Sequence, residues 1–267
     1  MTPAPDPLDL DAYLQRIDYR GPRRATRAVL QTLHECHRTH IPFENADVRL
    51  GRPIRLDLAA LQAKLVHGRR GGYCFEHNSL FAAALRALGF APRTLEARVR
   101  PAGALAPLPR THMLLALDLG GRRWLADVGF GGDGPLWPVP WSGAISAQPG
   151  GDYRIVREGT LRVLRLRRYR AWEDLYTFGP ESALPVDYEM ANHYTATHPD
   201  SRFVRMFTVQ SASASARHIL RGRSYSVRRA AGEVCRELEP GEVVALVRGR
   251  FGLGLTSTEI LRALGES

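Results

Sequence analysis

Apolar positions in the first 90 residues recur at helical spacing. Leu8, Leu10, Tyr13, Leu14 and Ile17 form one stripe, with Asp9 or Asp11 placed to cap it. Ala28, Val29, Leu30, Leu33 and Cys36 form a second, which Pro42 ends. Residues 57–66 carry Leu58, Leu61 and Leu65 on one face. Residues 73–88 carry Leu80, Phe81, Ala84, Leu85 and Leu88 before Gly89 stops the run. The period then changes to two. Leu95, Ala97 and Val99 alternate over 94–100. A Pro/Ala/Gly loop at 101–109 follows, and the apolar runs 113–119 and 122–128 flank Gly120-Gly121 as a β-hairpin. Residues 153–156 and 160–169 read as another hairpin with arginines on its solvent face. Later strands are expected at 204–209, 216–220 and 224–227. A last helix runs to Leu264, capped by Thr256 or Ser257, with Glu259 in its first turn. The expected division is 1–90 helical, 91–190 mostly β and 191–267 mixed α/β.

Composition narrows the class. The chain has 267 residues, 44% hydrophobic and 24% charged, which is the profile of a globular protein and not of a disordered one. No apolar run approaches the ~18–20 residues that span a bilayer, so no membrane partner is expected. Residues 1–6 lack a basic start and an apolar stretch, which argues for a cytoplasmic location. Cys36, Cys74 and Cys235 are too few, and odd in number, for a disulfide framework, so at least one thiol is free. The net charge of +10 raises nucleic acid as a partner. Of the 37 basic residues, however, only Lys64 is lysine, and the arginines are scattered apart from the cluster at 165–170. That bias fits GC-rich coding better than a nucleic-acid surface, and no nucleic acid is expected. A small polyanionic substrate fits a basic surface equally well.

Candidate chemistry centres on Arg69-Arg70-Gly71-Gly72-Tyr73-Cys74-Phe75-Glu76-His77-Asn78. Two glycines permit a sharp turn, and a helix starts directly after it. Cys74 therefore falls in the first helical turn, where free N–H groups and the helix dipole favour a thiolate. Cys36 sits on an apolar stripe and reads as core; Cys235 reads as structural or incidental. A nucleophilic cysteine needs a histidine base and a group that orients it. His77 is a helix-borne neighbour of Cys74 and not a facing base. His112 opens a strand at the rim of a cleft. A two-residue turn at Gly120-Gly121 pairs Leu119 with Arg122, sets His112 opposite Gly129 and makes Asp127 its diagonal neighbour on the same face. A three-residue loop would put the two on opposite faces. Cys74, His112 and Asp127 are predicted to form a triad.

Two other patterns are weaker. Gly129-Phe130-Gly131-Gly132-Asp133-Gly134 matches a dinucleotide-binding loop, but Pro135 and Pro138 forbid the helix that must follow it. The loop can still donate N–H groups to a phosphate. His34, His37 and His40 lack zinc-site spacing and read as a helical surface, so no metal is expected.

Arg70-Gly71-Gly72-Tyr73-Cys74-Phe75-Glu76 resembles the nucleophile segment of the arylamine N-acetyltransferases. Ile41-Pro42-Phe43-Glu44-Asn45, Thr111-His112-Met113, Ala126-Asp127-Val128-Gly129-Phe130-Gly131-Gly132 and Thr197-His198-Pro199-Asp200-Ser201-Arg202-Phe203 resemble further boxes of that family, in the same order over nearly the whole chain. The resemblance implies an α+β fold in three parts, with an N-terminal helical domain, a central β-barrel, a C-terminal α/β lid and a core like that of cysteine proteases and transglutaminases. It implies acetyl transfer from acetyl-CoA, as co-substrate and not a resident cofactor, to aromatic amines, hydrazines or N-hydroxyarylamines. The family's triad falls on Cys74, His112 and Asp127, and its supporting ion pair on Glu44 and Arg70. Its acceptor pocket falls on Phe43, Val99, Phe130 and Phe203, and Thr111, Gly131 and Gly132 fall near CoA. A monomer or homodimer is expected. Competing readings are a cysteine hydrolase or transglutaminase with the same triad, and an amide-forming acyltransferase of secondary metabolism on the same fold. A basic binding protein with an inert Cys74 is the non-enzymatic alternative.

Overall fold

The computed structural model describes residues 7–100 and 108–266; the expected loop at 101–109 lies mostly outside them. The first part is helical. It comprises α1 (Leu10–Arg16), α2 (Arg27–His40), a short strand β1 (Phe43–Glu44), α3 (Ala46–Arg49), α4 (Leu58–Leu61) and α5 (Cys74–Ala87). Asp9, not Asp11, caps α1 by accepting from the Ala12 N–H. The helix expected over 57–66 is α4, capped by Asp57, and it widens into a π-helical stretch over Gln62–His67. Gly89 ends α5 in the left-handed region, at a φ of 83°.

Next come β2 (Arg93–Val99), β3 (Arg110–Leu119), β4 (Arg122–Ala126), β5 (Val139–Pro140), β6 (Ser146–Gln148), β7 (Gly151–Glu158), β8 (Leu161–Arg167) and β9 (Trp172–Phe178). They form one antiparallel sheet in the order β5-β4-β3-β2-β9-β8-β7-β6, curled so that β5 approaches β7. The C-terminal part holds α6 (Pro185–Thr197), α7 (Arg202–Arg205), β10 (Thr208–Ala212), β11 (Arg217–Arg221), β12 (Ser224–Arg229), β13 (Gly232–Glu237), α8 (Pro240–Gly249) and α9 (Ser257–Leu264). A second antiparallel sheet runs β1-β10-β11-β12-β13, so a strand from the helical part borders the C-terminal sheet. The architecture is α+β: helices, a barrel-like sheet and an α/β part.

Two expectations are corrected. Residues 204–209 are not one strand, because the Ser201 side chain caps α7 and the strand starts only at Thr208. His34 and His37, expected on a helical surface, are fully buried on the inner face of α2, and only His40 is exposed.

The long apolar run of β3 serves two cores by alternation. Met113, Leu115 and Leu117 join the helical core with Leu30, Phe75 and Phe81. Leu114 and Ala116 face the barrel interior with Leu125 and Tyr176. His112 belongs by parity to the barrel side. The turn at Gly120-Gly121 pairs Leu119 with Arg122, as its two-residue length requires, and both glycines take positive φ. The ladder stops at Leu115–Ala126, so His112 is not paired with Gly129, but Asp127 keeps the parity that turns it toward His112.

Candidate active site

Cys74 is the first residue of α5, preceded by the turn at Gly71-Gly72. The turn is held by the Tyr73 N–H, which donates to the Glu76 carboxylate at 3.0 Å. The Cys74 thiol is buried and donates to the Thr111 carbonyl at 3.5 Å. It also lies close enough to His112 to act on that ring's protonation. The approach requires Gly129, where a Cβ would stand 2.7 Å from Cys74 Cα and 2.7 Å from Asn78 Nδ2.

His112 bonds the Asp127 carboxylate through Nε2 at 2.7 Å, which leaves Nδ1 free to face the sulfur. Asp127 is fully buried and has four donors. Oδ1 accepts from Asn78 at 3.0 Å and from the Gly129 N–H at 3.0 Å, and Oδ2 accepts from Tyr176 at 2.8 Å and from His112. Burial pushes this carboxyl upward, but His112, Asn78 and Tyr176 outweigh it and hold the group well below the usual range. Burial likewise pushes His112 down, yet Asp127 and, to a lesser extent, Cys74 lift it to about 10. The stable form of the site is thus an imidazolium beside a carboxylate, shaped to hold a negative charge on sulfur.

Three supports escape the sequence reading. Asn78 stands one helical turn after Cys74, and its spacing of four was the available signal. Besides Asp127 it bonds the Met113 carbonyl at 2.7 Å and accepts the Val128 N–H at 3.2 Å. Tyr176 lies on β9, a strand the sequence pattern did not mark, and nothing near it in the chain points to Asp127. His34 accepts the Asp127 N–H through Nε2 at 3.0 Å, while its Nδ1 meets the Leu136 carbonyl at 2.8 Å. Burial keeps His34 neutral, its pKa lowered to about 3.

His77 does not face the thiol. Its Nδ1 meets His37 at 2.8 Å, its Nε2 donates to the Pro42 carbonyl at 3.2 Å, and Tyr13 reaches His37 from the other side at 2.9 Å. Its ring lies parallel to Phe43 at 6.2 Å. Arg70 and Glu44 are paired at 2.7 Å behind the site, in a larger chain of charges: Arg70 also meets Asp47 at 3.1 Å, and Lys64 bridges Asp47 at 2.7 Å and Glu76 at 2.6 Å.

Cys74 and His112 open into a cavity of about 1370 Å³ that Phe43, Val99, Thr111, Phe130, Gly132 and Phe203 also line. The Phe130 ring stands edge-on to His112 at 5.1 Å, and Phe203 packs on Phe43 at 5.8 Å. Gly131 sits behind the lining, its carbonyl held by Arg38. The Gly132 N–H, expected to be available for a phosphate, instead donates to Gln210 at 2.6 Å. No helix follows this loop before β5. A second cavity of about 990 Å³, lined by Ile54, Ser79 and Tyr188 among others, reaches none of Cys74, His112 and Asp127. Cys36 packs partly buried against the helical core, and Cys235 is exposed on β13.

Residues 26–260 match the family model described as N-acetyltransferase. The arylamine N-acetyltransferase of Mycobacterium tuberculosis is 40% identical over 255 residues, covering 93% of this chain and 90% of that one. The chain belongs to the arylamine N-acetyltransferase family. Another relative is the arylamine N-acetyltransferase / N-hydroxyarylamine O-acetyltransferase of Salmonella typhimurium, 42% identical over 195 residues, or 73% of this chain and 69% of that one. The Mycobacterium marinum arylamine N-acetyltransferase, solved in complex with CoA, superposes with a TM-score of 0.91 at 34% identity, covering 96% of this chain and 98% of that one. Among the described residues of this N-acetyltransferase family member, no helix is long and apolar enough to cross a membrane.

Proposed function

We propose that this chain transfers the acetyl group of acetyl-CoA to the nitrogen of aromatic amines or hydrazines, and to the oxygen of N-hydroxyarylamines, through an acetyl-cysteine at Cys74. The observation that carries the reading is the buried His112–Asp127 pair beside a cysteine at a helix start, in a cavity open to ligands. Membership of the family and the CoA complex of a relative support the donor.

The Cys74 proton rests on His112, and the thiolate attacks the carbonyl carbon of acetyl-CoA. The C–S bond to CoA breaks, and the CoA thiolate leaves with the proton from His112. A neutral aromatic amine then attacks the acetyl-cysteine. His112 accepts its proton, and the Cys74 sulfur departs. Thioester to thioester is nearly neutral in energy and thioester to amide is downhill, so the second step sets the direction. Asp127 holds the His112 ring through Nε2 and stabilises its charged form. Phe43, Val99, Phe130 and Phe203 form the apolar acceptor wall that keeps water from the acetyl-enzyme. Thr111 and the loop at Gly131 and Gly132 border the CoA path, and the Glu44–Arg70 pair fixes the turn before Cys74. The reaction takes place in the cytoplasm, where the three free thiols stay reduced, with the chain acting as a monomer or homodimer.

Intact mass after mixing the protein with acetyl-CoA alone tests this. A gain of about 42 Da, one acetyl group, is expected. It should be absent in Cys74→Ala and discharged by an aromatic amine. No adduct and no free CoA would sink acetyl-CoA as the donor.

A further inference from the structure

One wall of the cavity is left unused by the chemistry above. On β11, Arg217, Ile219 and Arg221 share a face by strand alternation. Arg217 is engaged by the glycine loop and donates to the carbonyls of Gly132 at 2.8 Å and Gly134 at 3.0 Å. Ile219 packs under Gly132. Arg221 comes next on that face and lines the cavity, and its Nε is buried without a hydrogen-bond partner. Arg202, the first residue of α7, lines the same cavity beside Phe203, with its guanidinium 5.3 Å from that ring. Arg202 is exposed to solvent, while Arg221 is half-buried. Desolvation and the neighbouring Arg221 lower the Arg202 pKa, and Asp133 offsets this only in part.

The acids of the lining do not serve these two arginines. Asp133 is paired with Arg168 at 2.7 Å and Arg228 at 2.5 Å, and Glu173 with Arg168 at 2.8 Å. Asp174 is paired with Arg100 at 2.8 Å and Arg165 at 2.6 Å, and Asp200 with Arg205. Among the described residues, neither Arg202 nor Arg221 makes an ion pair. Two like charges near one another in a partly desolvated wall repel, and an anion between them removes that cost. The planar guanidinium fork matches carboxylate and phosphate oxygens.

We propose that Arg202 and Arg221 form an anion subsite of the cavity, which takes a carboxylate or phosphate group carried by a ligand of the transfer reaction. The choice of ligand rests on the acetyl-transfer reading. The anion has two sources there, a phosphate of CoA or a carboxylate on the aromatic acceptor.

Initial rates of the wild type, Arg202→Gln and Arg221→Gln distinguish them. The donor pair is acetyl-CoA against p-nitrophenyl acetate, which has no phosphate. The acceptor pair is aminobenzoate against its ethyl ester. The ratio of kcat/KM for the charged over the uncharged member should fall by about tenfold to hundredfold. A fall in the donor pair assigns the phosphate, and a fall in the acceptor pair assigns the carboxylate. Arg202→Lys should recover part of the ratio. Wild-type ratios in both pairs overturn the subsite, and so does an equal loss in every series, which reports damage to the fold. A wild type that transfers no acetyl group sinks the functional reading alone. Calorimetric titration with adenosine bisphosphate and with benzoate then decides the subsite without turnover: binding weakened in Arg202→Gln supports it, and absent or unaltered binding overturns it.

Discussion

Asp127 shows what a buried charge demands of its neighbours. Desolvation alone would leave it protonated and unable to hold an imidazolium. Four donors reverse that, and three of them, Asn78, Tyr176 and His112, come from other elements. Tyr176→Phe keeps the ring that packs on His112 at 4.9 Å and removes only the hydroxyl. Loss of a hydrogen bond to a charged group costs about 1.5–3 kcal/mol, so a lower Tm and a reduced rate of Cys74 acetylation are expected together. An unaltered Tm and rate would show that the hydroxyl is dispensable to Asp127. The convergence of Cys74, His112 and Asp127 was legible because each position rests on local geometry: a glycine turn before a helix for Cys74, and the period of two across a tight hairpin for His112 and Asp127. Tyr176 was not legible, since its place depends on how a distant strand closes the barrel. Asn78 was within reach of a helical-wheel argument, while His34 was misread because an amphipathic pattern does not distinguish a buried polar ring from an exposed one.

At the scale of elements, the start of α5 is fixed by charges from its neighbours. Glu76 holds the Tyr73 N–H and is itself buried. Burial raises its pKa, and Lys64 on the π-helical stretch supplies the opposing charge. Lys64→Met strands Glu76, while Asp47 keeps Arg70, and breaking a buried pair costs about 3–5 kcal/mol. A fall in Tm is expected, with most of it recovered by the double change Lys64→Met, Glu76→Gln. A double variant no better than the single one would mean that the charge at Glu76 is not what the lysine serves. Most helices and hairpins were legible from apolar spacing. Helices α6 and α8 were not: the apolar residues of α6 do not gather on one stripe, and the stripe of α8, Val243, Leu246 and Val247, is short. Their remaining signals were Pro185 and Pro240 at the first turn and an acid two residues on, at Asp187 and Glu242. Strand β1 has only two residues and gains its place by pairing Phe43 with Gln210 and Glu44 with Val209, which no local pattern announces.

Across the whole molecule, titration should narrow stability from both sides. His34 and His77 are buried neutral, each lowered to about 3, chiefly by desolvation. The unfolded chain takes up their protons first as pH falls below about 6.5, so stability declines on the acid side. Asp127, depressed in the fold, adds to that decline below about 3.9, where the unfolded carboxyl takes up a proton and the folded one does not. His112 has the opposite sign. Its raised pKa contributes stability that is complete below about 6.5 and is lost as pH rises through the folded value of about 10. Urea midpoints should therefore peak near neutrality and fall on both sides. His112→Gln should flatten the alkaline limb and leave the part of the acid limb that His34 and His77 set. An alkaline limb of wild-type steepness in that variant would place its origin elsewhere.

The charge chain behind α5 has a further consequence for a protein that handles acyl thioesters. Such esters discharge spontaneously onto free amines, and lysine side chains are the usual casualties. Here Lys64 is the sole lysine in 267 residues, and Asp47 and Glu76 hold it protonated, with its pKa raised above the ordinary value. An ammonium has no lone pair to offer an acyl carbon. The chain carries its basic charge almost entirely as guanidinium, which is inert toward thioesters, and so presents its own reactive intermediate with next to no side-chain amine to acylate by mistake.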